Sequence, residues 1–235
     1  MTRKIILFGG TGMVGQGVLR ECLLARDVTH VLSIVRAPTG QTHPKLRELV
    51  HKDFFDFSTI TGELIGYDAC FYCLGATSIG KTEADYSRVT YGITVAAAEA
   101  VVKSSPQSTF VFVSGANSDS TEKGPVMWAR IKGKAENAVL AMPFKAAYVF
   151  RPALIQPMHG AKSKTPLYRI PYILIAPFVP WLKRQFPKFV TTTETIGRAM
   201  LNVVRRGYPV RILETSDINA AAPDPPSSRG EEWRG

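Results

Sequence analysis

The sequence predicts a doubly wound α/β domain, a mostly parallel sheet with helices on both faces. Three observations predict it. Apolar runs of strand length alternate with helical stretches along most of the chain. The first run, Ile5-Ile6-Leu7-Phe8, lacks polar alternation and so suits a strand buried on both faces. It leads straight into Gly9-Gly10-Thr11-Gly12-Met13-Val14-Gly15, a glycine-rich turn that opens a helix.

That turn is where the sequence carries most information. Gly9 allows a sharp exit from the strand, and Gly12 leaves room for backbone to approach a pyrophosphate. Gly15 lets the helix, expected over Met13 to Ala25, pack close to the sheet. The helix points its positive N-terminal end at the phosphates. The spacing is G-x-x-G-x-x-G rather than the G-x-G-x-x-G of the standard dinucleotide fingerprint. Thr11, Met13 and Val14, which share the turn, complete the expected phosphate site.

The second strand, Val28 to Val35, ends at Arg36. An NAD site usually carries Asp or Glu there to hold the ribose 2′-hydroxyl. This chain has no acid until Glu48. A carboxylate would repel a 2′-phosphate, whereas a guanidinium binds one bidentately. NADP(H) is therefore expected in preference to NAD(H).

Further along, Ala37 to Thr42 reads as a loop, Pro44 to Val50 as a short helix, and Val50 to Phe54 as the third strand and its exit. At that exit Asp53 is placed to accept from an adenine amino group and Phe54 to flank the ring. Tyr67 to Leu74 is the fourth strand. It ends at Leu74, a cofactor-binding candidate, and is followed by Gly75 and Ala76, whose small side chains let backbone lie against a cofactor. Lys81 to Lys103 contains a long helix. Thr109 to Val113 is the fifth strand, running into the polar loop Ser114 to Ser118. Val126 to Ala141 is helical, and Ala146 to Phe150 is the sixth strand. Thr191-x-x-Glu194 reads as a capping box for an amphipathic helix running to about Arg206. Val210 to Leu213 reads as an edge strand. One Rossmann-type domain is expected over 1–216, with a disordered tail over 217–235 whose composition turns tail-like at Asn219.

Between Asn137 and Thr193 there are eight Lys/Arg and no Asp or Glu, which gives this region a basic character. Its prolines and aromatic residues predict a small lid over about 160–190. The stretch 162–188 serves there as a substrate cover, a peripheral membrane contact or a homodimer interface. Its prolines and Arg169 exclude a spanning helix.

A net charge of +10 could signal nucleic acid, but no helix-turn-helix or aromatic-basic RNA motif accompanies it, and a small-molecule substrate is expected instead. Cys70 and Cys73 lie three apart in an apolar strand and so face opposite sides, which argues against redox or zinc chemistry. The four histidines show no metal-ligand spacing, so no metal is assigned. Three cysteines and no signal peptide predict a cytoplasmic protein.

The turn Gly9 to Gly15, Arg36, Cys73-Leu74-Gly75-Ala76-Thr77, Ser114-Gly115-Ala116, Lys132-Gly133-Lys134-Ala135-Glu136 and Phe150-Arg151-Pro152 resemble the atypical short-chain dehydrogenase/reductases. The similarity is to their small NAD(P)H-binding, epimerase-like branch and covers about residues 4 to 215. It implies a Rossmann-type fold and an oxidoreductase or epimerase-like enzyme. Lys132 matches the lysine that binds the nicotinamide ribose and lowers the pKa of a catalytic tyrosine. The tyrosine position falls on Trp128, whose indole N–H is a donor but not an acid near neutral pH. Ser114 matches the serine that binds the substrate oxygen. Thr90 stands where relatives carry an Asn of the proton relay. Pro152 and Ile155 fall at the nicotinamide end. Two function classes fit these residues: an NADP(H)-dependent enzyme on a small carbonyl or hydroxyl compound, and a catalytically weak NADPH-sensing partner-binding module.

Overall fold

The computed structural model describes residues 1–161 and 188–222. It is built on seven parallel strands: β1 (Arg3–Phe8), β2 (Val28–Val35), β3 (Leu46–Val50), β4 (Ala69–Tyr72), β5 (Thr109–Val113), β6 (Ala146–Arg151) and β9 (Ile212–Glu214). Their order across the sheet is β3-β2-β1-β4-β5-β6-β9. The direction of winding reverses between β1 and β4, and a crevice opens there beyond the carboxyl ends of the strands. β7 (Leu154–Gln156) and β8 (Val190–Thr192) pair separately. The expected cover over about 160–190 and the membrane or dimer role of 162–188 fall on residues that lie, apart from their ends, outside the described ones.

Two cores follow from the sheet being apolar on both faces. One holds α1 (Met13–Leu24), α5 (Thr193–Arg206) and α6 (Thr215–Ala221) against β1, β5 and β6. The other holds α3 (Ile93–Ser104) and α4 (Met127–Ala141) with an aromatic group around Phe8, Tyr72 and Phe110. Helices α1 and α5 cross with almost no gap. A Cβ on Gly17 would stand 2.5 Å from Thr193 Cβ, and one on Gly197 2.8 Å from Glu21 Cγ. At the far end of α1, Asp27 accepts from Arg3 at 2.6 Å and from Arg205 Nε at 2.9 Å. The Arg205 hydrogen bonds hold its carboxyl below the usual range.

Several expectations are corrected. Pro44 to Val50 is not a helix. Leu46–Val50 pairs in parallel with β2 as the edge strand β3, so sheet pairing overrides a Leu46/Leu49 spacing that reads as helical. The third strand ends at Val50 rather than exiting at Phe54. The long helix over Lys81 to Lys103 is three pieces: α2 (Glu83–Ser87), a π-helical turn over Arg88–Gly92, and α3. The cap of α5 is Thr192, whose hydroxyl accepts from Thr195 N–H at 2.9 Å, while Thr191 belongs to β8. The edge strand is Ile212–Glu214, slightly later than expected. Ordered chain also passes Asn219. Helix α6 is closed by a Glu214/Asp217 capping box and buries Ile218 and Ala221.

Candidate functional site

The glycine turn has the geometry its spacing suggests. Gly9 takes φ +80°, and a Cβ there would lie 2.7 Å from the Cys73 carbonyl carbon, so the exit of β4 passes directly over it. Gly12 N–H donates to Gly9 O at 2.9 Å, and Gln16 Nε2 donates to Thr11 O at 3.1 Å. A Cβ on Gly15 would lie 2.0 Å from Gly9 O, so this glycine is required by packing. Gly12 is different: a Cβ there meets only Gly9 O, at 3.3 Å, and otherwise points into open space. Gly75, across the crevice, is also open. Helix α1 begins at Gly12 with no side-chain cap and no acid in its first turn. Met13 and Val14 lie in that first turn, beside these uncapped amides, which suit an anion.

Two clefts meet at Arg36. One, of about 670 Å³, runs from Asp53, Phe54 and Phe55 past Leu74, Gly75 and Ala76 to Thr90 and Lys132. The other, of about 840 Å³, lies between Gly10, Thr11, Arg20 and the loop after β2, bounded by Met158 and His159. Arg36 is exposed and lines both; no ion pair engages it among the described residues. Glu48, the first acid after it, is taken up by Thr39 N–H at 2.9 Å and by the Thr39 hydroxyl. Lys52 and Lys81 add further positive charge to the smaller cleft.

At the Asp53 end of this cleft both phenylalanines line it, but they differ in exposure. Phe54 is a core residue, edge-on to Phe8 and Phe57 and only 8% exposed. Its neighbour Phe55 is 42% exposed, lines the cleft and carries the Arg88 guanidinium 4.9 Å above its ring. Sequence reasoning missed Phe55, because two adjacent phenylalanines give no sign of which one turns inward. Asp53 uses Oδ1 to accept Phe55 N–H at 2.9 Å.

At the other end, Lys132 is half-buried, and among the described residues nothing hydrogen-bonds its Nζ. The amine lies beside Gly115, where an added Cβ would stand 3.6 Å from Nζ. Burial pushes its pKa down, and the Glu136 carboxylate partly counters this. Thr90, on the π-helical turn, is buried with its hydroxyl unpartnered. Tyr72 shares a 3.1 Å hydrogen bond with Thr94, which also donates to Thr90 O at 2.6 Å. Burial raises the Tyr72 pKa.

The Lys-Gly-x-x-Glu and Phe-Arg-Pro blocks turn out to be one structure. Glu136, fully buried, accepts from Arg151 Nε at 3.0 Å and also from Nη2, and Arg151 donates to Ser120 at 2.6 Å. A Cβ on Gly133 would stand 1.7 Å from Asp119 O, so α4 lies directly on the loop after Ser114. Ser114 N–H donates to Phe150 O at 2.8 Å and Ala116 N–H to Pro152 O at 3.0 Å. These bonds hold Ser114 and Pro152 together beside Lys132. Ser114 Oγ is engaged with Ser118 Oγ at 3.2 Å. Ile155 sits in β7 opposite Thr191. Neither Ser114 nor Trp128 lines either cleft.

No protein-family model matches the chain. Among curated proteins it is similar to the mitochondrial protein FMP52 of Meyerozyma guilliermondii, 23% identical over 199 residues and 84% of each chain. It is also similar to the mitochondrial protein FMP52-1 of Scheffersomyces stipitis, 28% identical over 153 residues, covering 63% of this chain and 66% of that one, just under two thirds. These names overturn the expectation of a cytoplasmic protein; cysteine usage separates reducing from oxidising compartments but not one reducing compartment from another. Among solved structures it resembles a short-chain dehydrogenase/reductase family oxidoreductase of Burkholderia thailandensis (TM-score 0.64, 17% identical, 94% of each chain). It also resembles the Bordetella bronchiseptica enzyme WbmF in complex with NAD+ (TM-score 0.62, 14% identical, 93% of this chain and 77% of that one). The chain shares the Rossmann-type α/β fold of these solved structures, the fold that its sequence implies.

Proposed function

We propose that the protein is an NADP(H)-binding oxidoreductase or epimerase-like enzyme acting on a small carbonyl or hydroxyl compound. The residues fit a dinucleotide. Gly12 and Gly75 leave space on the two sides of the crevice, the α1 amides have no side-chain cap, and the smaller cleft reaches Lys132, whose amine has no hydrogen-bond partner among the described residues. In this reading the Gly9–Gly15 turn holds the pyrophosphate, Asp53 and Phe55 hold the adenine, and Lys132 holds the nicotinamide ribose. The bound nicotinamide supplies hydride chemistry; the chain supplies position, charge and exclusion of water.

The observation that carries the cofactor preference is Arg36, which lines both clefts with no carboxylate partner among the described residues. A charge-assisted bidentate contact contributes about 1.5–3 kcal/mol. NADPH is therefore expected to bind roughly ten-fold or more tightly than NADH, and Arg36→Ala to bring the two together. Calorimetric titration of both cofactors tests this. Equal affinities in the native protein would reject it.

The second reading, an NADPH-sensing module with little turnover, is favoured by Trp128 at the tyrosine position. It expects NADPH binding with no reduction of any carbonyl compound.

A further inference from the structure

With Trp128 in place of the usual tyrosine, a reduction at this site needs another proton donor. The groups lining the smaller cleft narrow the choice. Tyr72 is the only tyrosine among the described residues that line it, and it is buried, hydrogen-bonded to Thr94 and made less acidic by burial. Asp53 sits at the adenine end and is tied to Phe55 N–H. Lys52 and Lys81 lie along the exposed rim. Of the described residues, what is left is Lys132 at the other end, its amine beside Gly115 with no protein acceptor among the described residues.

We propose that the Lys132 ammonium group is itself the general acid of this site, rather than an accessory to a tyrosine. The inference rests on the oxidoreductase reading above. In the reducing direction the substrate carbonyl carbon takes a hydride from a dihydronicotinamide, the C=O π pair moves onto oxygen, and that oxygen takes a proton from Lys132 Nζ. The products are an alcohol, an oxidised nicotinamide and a neutral amine, which regains its proton from solvent. In the oxidising direction the neutral amine accepts the hydroxyl proton. Burial lowers the Lys132 pKa towards working pH, where a general acid is most effective, and Glu136 one turn along α4 limits the drop. Two glycines set the amine's place: Gly115 leaves space beside it, and Gly133 lets α4 approach the loop.

Two measurements decide it. Competitive acetylation of the intact protein with acetic anhydride across pH 6–10, read by peptide mass spectrometry, gives the midpoint of each lysine. Lys132 is expected to deprotonate at a lower pH than exposed Lys103, because burial disfavours its charged form. Reduction of 4-nitrobenzaldehyde by NADPH is then followed over the same range for native protein and Lys132→Arg. Native turnover should fall as pH rises through the Lys132 midpoint. Arginine keeps the charge but releases no proton, so Lys132→Arg should hold NADPH within a few-fold while kcat falls about 10²–10⁴-fold. The proposal is overturned if Lys132 titrates with Lys103, if Lys132→Arg keeps the native rate and pH profile, or if native protein with NADPH bound does not reduce the aldehyde. Failure of native protein to bind NADPH, seen by calorimetry, would instead remove the oxidoreductase reading on which it rests.

Discussion

Gly12→Val is expected to remove cofactor binding and leave the fold standing. A Cβ at position 12 meets only Gly9 O, at 3.3 Å, so the turn has to yield by a few tenths of an ångström. The rest of the valine side chain then fills the space in front of the uncapped α1 amides, where the phosphates would lie. Affinity should drop by at least about two powers of ten, or roughly 2.7 kcal/mol. Gly15→Val is the control with the opposite outcome. Its Cβ would stand 2.0 Å from Gly9 O, so helix and turn cannot both keep their positions and the fold itself is lost. Circular dichroism on heating reports the fold and NADPH titration the site. A folded Gly12→Val protein with native NADPH affinity would show that this turn is not the phosphate site.

Glu136→Leu is expected to lower thermal stability more than any surface change. Glu136 is fully buried and Arg151 is 9% exposed, so deletion strands a guanidinium that keeps only Ser120 and a long contact to Glu214 at 3.5 Å. Breaking such a buried pair from one side costs about 3–5 kcal/mol. In a protein of this size that is a fall in Tm of about 6–20 °C. Replacing both partners, Glu136→Leu with Arg151→Met, should recover most of the loss, because no uncompensated charge is then left inside. If the single variant melts within a degree or so of native protein, the pair is not what fastens α4 to β6.

Most of the sheet was legible because its central strands are rich in apolar and β-branched residues. Val28–Val35 and Thr109–Val113 have in the structure the limits read from the sequence. The edge was not legible. Leu46, Leu49 and Val50 read equally well as a helix face, and pairing with β2 decided the matter. At the site, the glycine spacing and Arg36 could be read because each residue type has few other uses in its context. Phe55 could not be told from Phe54, since which of two adjacent rings turns inward depends on the Asp53 turn and on Phe57 behind it. The π-helical turn that carries Thr90 leaves no mark in residue type. The Glu136–Arg151 pair was visible only as two separate blocks; their meeting follows from β5 and β6 lying side by side.

The close crossing of α1 and α5 has a bearing on how this chain comes off the ribosome. The face of α1 that carries Val18 and Cys22 is covered by a helix that does not exist until residues 193–206 have been made. The Asp27–Arg205 clasp closes over 178 residues. At about 5–20 residues per second, that separation is roughly 9–36 s of synthesis. Throughout that interval the glycine turn is present but the helix behind it has one bare apolar side, exposed to chaperones and to other nascent chains. A message that stalls or ends before α5 would leave a polypeptide with Gly9, Gly12 and Gly15 in place and α1 held to the sheet by one side only.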